Sequence, residues 1–575
     1  MTIGSIDLVS FGLGVGCVIV FPVFKSVVSG VVRYVRCKVA RAGFAPIRSQ
    51  KRNALGKLVE QSDAWAQLHM PTGQRQRSAQ DLIASKPLSA LQNALETQQF
   101  TAKEILAVFL ANSLHAHRET NCLSWIMLES AIEAANRADS IFTLPPGKTR
   151  QEAIALQPLL GVPFSIKEML AYRDTDCTLG LTSRAKQPVS DTSSAVLVLE
   201  RQGAIAFVKT SVPVLLMSYE CESDLFGTTT NPYHNRRTCG GSSGGEGALL
   251  ALNGSAFGLG TDIGGSIRIP SAFCGIVGFK PTFLRVSSRG NRAIRGDESI
   301  PTITGPMGRR VADVTDAFKC LTTPVDDLFQ QVDGMCGQVP FRSELHESVL
   351  AKKILRVGYY MSKIPPCVEE TISCFYELLG ADGTKKLRAL LGFDIPHGVV
   401  GPLLAFSALP SFLKDIAAIA IRQKVDATFA KILSRAREKQ VHEYGDTLVR
   451  RNNCRNAYAD LFSSLKLDAV VGPGFYIPAP ACGSSTDLSF GASATAYYNC
   501  LDLPVLALPV TKVKKELDVW TTQPSNGMSR CIKAVYDHED MNDLPVGIQI
   551  VTPKFTEEVT LAVGARLEGL LRGGI

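Results

Sequence analysis

The pattern of apolar and polar positions changes texture several times along the chain. Leu8 to Phe24 is an uninterrupted run of 17 uncharged, mostly apolar residues, and Ser26 to Val32 continues it past Lys25. A helix needs roughly 17–25 residues to cross a bilayer. The run therefore predicts a membrane-spanning helix, extended to Val32 if the Lys25 ammonium snorkels to the interface. A buried N-terminal helix is the alternative. A cleaved signal peptide fits less well, because the run has no basic stretch before it and no obvious small-residue cleavage site. Residues 53–115 read as helical, with regularly spaced charges. From residue 159 onward, short apolar runs alternate with helical patterns, as in α/β proteins. The run Leu159 to Ile166 predicts a strand that delivers Lys167 at its end. The cluster Asp191-Thr192-Ser193-Ser194 caps a helix over residues 195–200, Gly203 stops it, and Ala204 to Lys209 reads as a buried strand.

Two segments depart from that texture. Residues 238–290 are dense in glycine, with helices expected from Gly244 to Ala251 and from Ser266 to Phe273. A backbone that passes from glycines into a helix start presents unpaired N–H groups, the outline of an oxyanion hole. Residues 402–421 form a second apolar stretch, broken by Pro410 and by Lys414-Asp415 and followed by Arg422, Lys424 and Lys431. It makes a poor transmembrane span. Two short helices lying in a membrane surface would read this way, and so would two core helices.

Composition narrows the class. The 575 residues, 45% apolar and 20% charged, have room for one large α/β domain or two or three smaller ones. The 15 cysteines include no C-x-x-C pair and most stand alone in apolar stretches, which fits buried reduced thiols better than a disulfide framework. The net charge of +8 is unevenly distributed. Nine Lys/Arg and no Asp or Glu fall within residues 25–57, and removing those nine from the 61 basic residues leaves a near match to the 53 acidic ones. That balance argues against a general nucleic-acid-binding surface. The positive charge follows the apolar run, which orients the bulk of the chain to the cytosol and offers attraction to anionic lipid. Gly12-x-x-x-Gly16 could let two such helices meet closely, so a homodimer is one expectation and a chance glycine pair the other.

The chemistry lies in the glycine-dense segment. Gly240-Gly241-Ser242-Ser243-Gly244-Gly245-Glu246-Gly247 is followed by Gly260-Thr261-Asp262-Ile263-Gly264-Gly265-Ser266-Ile267-Arg268. Serine is a weak nucleophile until a base takes its proton, and the eight histidines stand in no hydrolase motif. Gly240-x-Ser242-x-Gly244 matches a nucleophile elbow, but that turn needs a hydrophobic strand before it, and Asn235 to Cys239 is polar. A phosphate loop fails because no Gly-Lys-Ser/Thr follows the glycines.

These runs, with Lys167 lying 75 residues before Ser242 and Ser266 lying 24 after it, resemble the amidase-signature family. Supporting matches are Gly161-Val162-Pro163-x-Ser165-x-Lys167-Glu168, Thr178-Leu179-Gly180, Gly227-x-Thr229-x-Asn231-Pro232, Phe273-Cys274-Gly275 and Gly278-Phe279-Lys280-Pro281-Thr282. Tyr498 to Pro504 and Leu544 to Gln549 agree as well. The resemblance covers most of residues 85–565 and is strongest from Gly161 to Thr282. Among family members the chain is most similar to the membrane-anchored ones that cleave fatty-acid amides, and Leu409-Pro410-x-Phe412-Leu413-Lys414 carries a local match to their membrane-entry cap.

The resemblance implies an α/β amidase-signature fold: a mixed central sheet sandwiched by helices, here with an N-terminal transmembrane helix. It implies an anchor over residues 1–33, a basic juxtamembrane and helical linker over 34–84, and a catalytic domain over 85–575 with its core at 159–290 and a membrane cap at 402–424. It implies that Ser266 is the nucleophile, that Ser242 is a bridging serine on a cis peptide, and that Lys167 is the base. Backbone N–H groups of Ile263, Gly264, Gly265 and Ser266 would hold the oxyanion. Leu216, Met217 and Tyr219 are candidate acyl-channel residues, and Ser243, Asp262 and Arg268 would fix the loops. No metal or organic cofactor is implied. The expected substrate is a lipid amide, and the expected location an intracellular membrane such as the endoplasmic reticulum. Two other readings stay open: an amidase of small amides, and a membrane-tethered interaction protein without activity. One departure stands out: between Ile364 and Ile395 the chain is shorter than the fatty-amide-cleaving pattern.

Overall fold

The computed structural model describes residues 42–293, 298–323, 333–359, 367–407 and 437–573, except positions 338, 489, 490 and 526, together with scattered positions in 408–436. The expected membrane-spanning segment 1–33, Phe412 of the expected cap and Ile364 all lie outside the described residues. Among the described residues no helix is long and apolar enough to cross a membrane.

Twelve strands are described: β1 (Leu123–Ile126), β2 (Pro163–Lys167), β3 (Ile205–Thr210), β4 (Glu222–Ser223), β5 (Gly227–Thr228), β6 (Phe257–Asp262), β7 (Val277–Lys280), β8 (Ile303–Gly308), β9 (Val357–Tyr359), β10 (Ala469–Pro473), β11 (Val505–Lys512) and β12 (Pro545–Val551). Ten form one sheet in the order β1-β3-β2-β6-β8-β7-β11-β12-β10-β9, and β4 pairs with β5 alone. The sheet is mixed. β2 runs parallel to both β3 and β6, whereas β6, β8, β7, β11 and β12 succeed one another antiparallel. Strands β2, β3 and β6 are buried along their whole length, as continuous apolar runs covered on both faces must be. Helices flank the sheet. One of them, Ala102–Thr120, opens on a capping box between Thr101 and Glu104 and closes at Asn121 in the left-handed region.

Several expected elements shift by a few residues. β2 begins at Pro163, because residues 159–162 form a turn whose Leu159 and Gly161 N–H groups donate to Gln202 and Gly203. The helix after the cap cluster is Ser194–Arg201, and Ser193 makes no side-chain cap. Gly244–Ala251 is helical as expected. The next helix starts at Arg268, not Ser266, and runs to Cys274. Within the shortened region, helices Val368–Leu379 and Lys385–Leu391 are present. All 13 described cysteines are free thiols.

The expected boundary at residue 85 is not a packing boundary. Residues 42–69 form one helix, and Leu55, Ala66, Ala79 and Ile83 belong to the same core as β1, β2 and β3. Lys51, one of the basic residues expected to face lipid, is buried. Its Nζ donates to Asp176 Oδ2 at 2.6 Å and lies 3.8 Å from the Trp125 ring centroid on β1. Arg52 donates to the carbonyls of Leu225 and Asp224. The 34–84 segment, in its described part, is thus a strap on the body rather than a linker.

Candidate active site

β2 ends on Lys167, which is fully buried. Its Nζ donates to Ser242 Oγ at 2.8 Å, to Thr261 Oγ1 at 2.9 Å and to the Thr261 carbonyl at 3.2 Å. Burial disfavours the ammonium and lowers the Lys167 pKa to about 7, against the pull of Asp262 and other nearby groups toward the charged form. A lysine in that range is half neutral near neutral pH.

The two glycine runs meet over this lysine. The Gly241–Ser242 peptide is cis, as the resemblance implied. The Ser243 N–H donates to the Ser266 carbonyl at 3.1 Å, and the Ser243 hydroxyl bridges to the backbone of Thr261. Asp262 anchors the second run. Its Oδ1 accepts from the Gly265 N–H, Asn499 Nδ2 and Arg268 Nη2; its Oδ2 accepts from the Ile267 N–H and Arg268 Nε. Burial works against the Asp262 carboxylate, but the Arg268 guanidinium beside it and these donors hold its pKa far below the usual range. Arg268 reaches in turn to Asn499 Oδ1, Gln549 Oε1 and the Thr495 carbonyl. Ser243, Asp262 and Arg268 hydrogen-bond the two loops to each other and to the surrounding core.

The oxyanion expectation needs one correction. The Gly265 N–H is committed to Asp262 at 2.8 Å. Among the described residues no acceptor takes the N–H of Ile263, Gly264 or Ser266. Gly265 has a φ of +127, and a Cβ there would lie 2.1 Å from Thr495 Oγ1, so this position requires glycine.

Ser242 and Ser266 open on one apolar cleft. Leu216 and Met217 line it with Ile263, and Leu179, Leu215, Thr261, Ala293, Thr302 and Leu390 complete it. Tyr219 does not. Its hydroxyl donates to the carbonyls of Ser485 and Leu488, and its ring belongs to a separate core cluster. The expected cap begins inward. Leu403 and Leu404 of helix Val400–Ser407 pack with Leu215, Leu387 and Leu390 behind the cleft, and Lys414 is buried. Farther on, Ile416 and Ile419 are 59% and 60% exposed.

Sequence reasoning missed Thr261 as a lysine partner and Leu390 as a cleft residue. It also gave no role to Glu246, which is buried in the first turn of helix Gly244–Ala251. Thr261 sits in a quoted run, but only the β2–β6 pairing turns it toward Lys167.

A family model described as Amidase matches residues 104–561. The chain belongs to the amidase family. This amidase-family hydrolase is 30% identical over 538 residues to "Fatty-acid amide hydrolase 1" of Sus scrofa, covering 86% of this chain and 87% of the relative. It is 31% identical over 506 residues to "Amidase 1" of Gibberella moniliformis, covering 85% and 94%. Among solved structures it is similar in fold to "Fatty acid amide hydrolase", with a TM-score of 0.72, 22% identity and coverage of 92% and 96%.

Proposed function

We propose that this amidase cleaves fatty-acid amides, such as primary fatty amides and N-acylethanolamines, through an acyl-enzyme on Ser266. One observation carries the reading: a buried, half-neutral Lys167 touches Ser242 at the end of an apolar cleft that Ser266 shares. Lys167 takes the Ser266 proton through Ser242 as Ser266 Oγ attacks the amide carbon. The N–H groups of Ile263, Gly264 and Ser266 receive the oxyanion, at about 2.7–4 kcal/mol for a donor of this kind. The proton returns by the same route to the nitrogen as the carbon–nitrogen bond breaks, and water then releases the fatty acid. Apolar walls suit an acyl chain, and the name of the Sus scrofa relative points the same way.

The reading extends to place and assembly: a single-pass anchor over Leu8–Phe24, the catalytic domain cytosolic on an intracellular membrane such as the endoplasmic reticulum, and pairing of two chains through Gly12 and Gly16. The charge pattern after the run supports the orientation, and exposed Ile416 and Ile419 support a lipid-facing surface beside the cleft.

Hydrolysis of oleamide against butyramide, with Ser266→Ala as the blank, tests the proposal. Faster Ser266-dependent turnover of oleamide is expected. Preference for butyramide would favour a short-amide hydrolase, a reading the match to "Amidase 1" supports.

A further inference from the structure

We propose that Glu246 is a positioning residue for the Lys167–Ser242 pair, a neutral carboxylic acid that ties the helix following Ser242 to the two strands framing Lys167. The inference rests on the Ser-Ser-Lys reading above.

The geometry begins with register. Ser165 lies two residues before Lys167 on β2, so both side chains share one face of the sheet. Thr210 of β3 is the residue paired with Lys167. Glu246 reaches both neighbours: its Oε2 lies 2.6 Å from Ser165 Oγ and its Oε1 2.9 Å from Thr210 Oγ1. On the third side stands Gly258 of β6, the partner of Ser165, where a Cβ would fall 2.1 Å from Glu246 Oε2. The sheet leaves a socket at this point, and the carboxyl fills it.

Burial without a bonded cation favours the acid, against the two hydroxyl contacts, which favour the anion. No cation bonds to Glu246, because Lys167 spends its described hydrogen bonds on Ser242 and Thr261. Ser165 Oγ also reaches the Phe257 carbonyl at 3.5 Å, so it can hand its own proton there and accept one from the acid. Burial pushes the Glu246 pKa up to about 8, against the Ser165 and Thr210 hydroxyls and the nearby Lys167, which favour the anion.

Four other titratable groups face the pair. Asp262 is paired with Arg268 and still pulls Lys167 toward its charged form. Glu168 accepts from Thr178 and Leu179. Cys122 and Cys221 are buried thiols. Ionisation of Glu246 would add to the pull of these groups and favour a proton on Lys167.

Glu246→Gln keeps a donor and an acceptor in the same shape, and Glu246→Ala keeps neither. In kcat/KM profiles against pH, with Ser266→Ala as blank, the Gln variant is expected to retain most activity, with its ascending limb unmoved. The Ala variant is expected to lose kcat by roughly 10²-fold, the lower range for a misplaced acid–base group. Infrared difference spectra between acidic and alkaline pH are expected to show a protonated-carboxyl band that the Gln variant lacks. A limb displaced by about one pH unit or more in Glu246→Gln, equal activity of Glu246→Ala, or no missing band would each overturn the proposal; one unit is about 1.36 kcal/mol. Turnover that survives Ser266→Ala would instead sink the Ser-Ser-Lys reading, while the infrared band still decides the state of Glu246.

Discussion

The floor and the wall of the cleft are built from different forces. On the floor, Lys167, Ser242, Ser243, Asp262 and Arg268 are buried, and each is hydrogen-bonded across at least two segments of chain. On the wall, Leu179, Leu215, Leu216, Met217 and Leu390 pack by apolar contact against helices Lys385–Leu391 and Val400–Ser407. A main polar tie on that side is Asp394, which accepts from the N–H groups of Thr182 and Ser183. Hydrogen bonds are directional and fix atoms to fractions of an ångström, whereas apolar contact is non-directional and scales with area. The floor thus prescribes a reaction, and the wall prescribes only which acyl groups fit.

The comparison breaks first at the nucleophile. Ser266→Ala is expected to lower kcat by about 10⁴-fold or more on every amide, long or short, with little change in melting temperature. A long-chain-specific loss would mean that Ser266 belongs to the wall. Arg268→Ala leaves Asp262 buried without its cation, and urea unfolding is expected to show about 3–5 kcal/mol of lost stability. Arg268→Lys should recover only part of this, since one ammonium cannot reproduce the forked contacts to Asp262, Asn499 and Gln549.

The pH dependence sharpens the contrast further. The depressed Lys167 pKa makes the neutral base the majority form only above about 7. Below that, kcat/KM is expected to fall roughly tenfold per pH unit. Because the limb belongs to the floor, oleamide and butyramide should share it. The smallest effect belongs to the wall. Leu390→Ala is expected to weaken kcat/KM for long-chain amides by about fourfold for each lost methylene contact, near 0.8 kcal/mol, and to leave butyramide unchanged.

The floor was more legible in the sequence than the wall. Ser242 and Ser266 stand in glycine runs whose order, and whose spacing from Lys167, are rare. The helix Gly244–Ala251 was legible as well, through the apolar Ala248–Ala251 run that follows its glycines. What escaped depends on distant pairing. Arg268 finds Asn499 and Gln549 more than 230 residues away. The Tyr498–Pro504 and Leu544–Gln549 motifs were visible, but not that they converge on one guanidinium. On the wall, Leu216 and Met217 were picked out and Leu390 was not, because an apolar residue looks alike in a channel and in a core. Tyr219 shows the same ambiguity from the other side: its ring fills a core cluster, and its hydroxyl satisfies two carbonyls.

Lys51 on Trp125 has a consequence for handling and quality control of the chain. β1 is a terminal strand of the ten-stranded sheet, and bare edges recruit strands from other molecules. Helix 42–69 lays a buried ammonium, paired with Asp176, across the indole of that strand. A protease cut near residue 41 would release whatever precedes it and leave this guard in place. A cut near residue 70 would strip the guard, strand a buried carboxylate and favour aggregation.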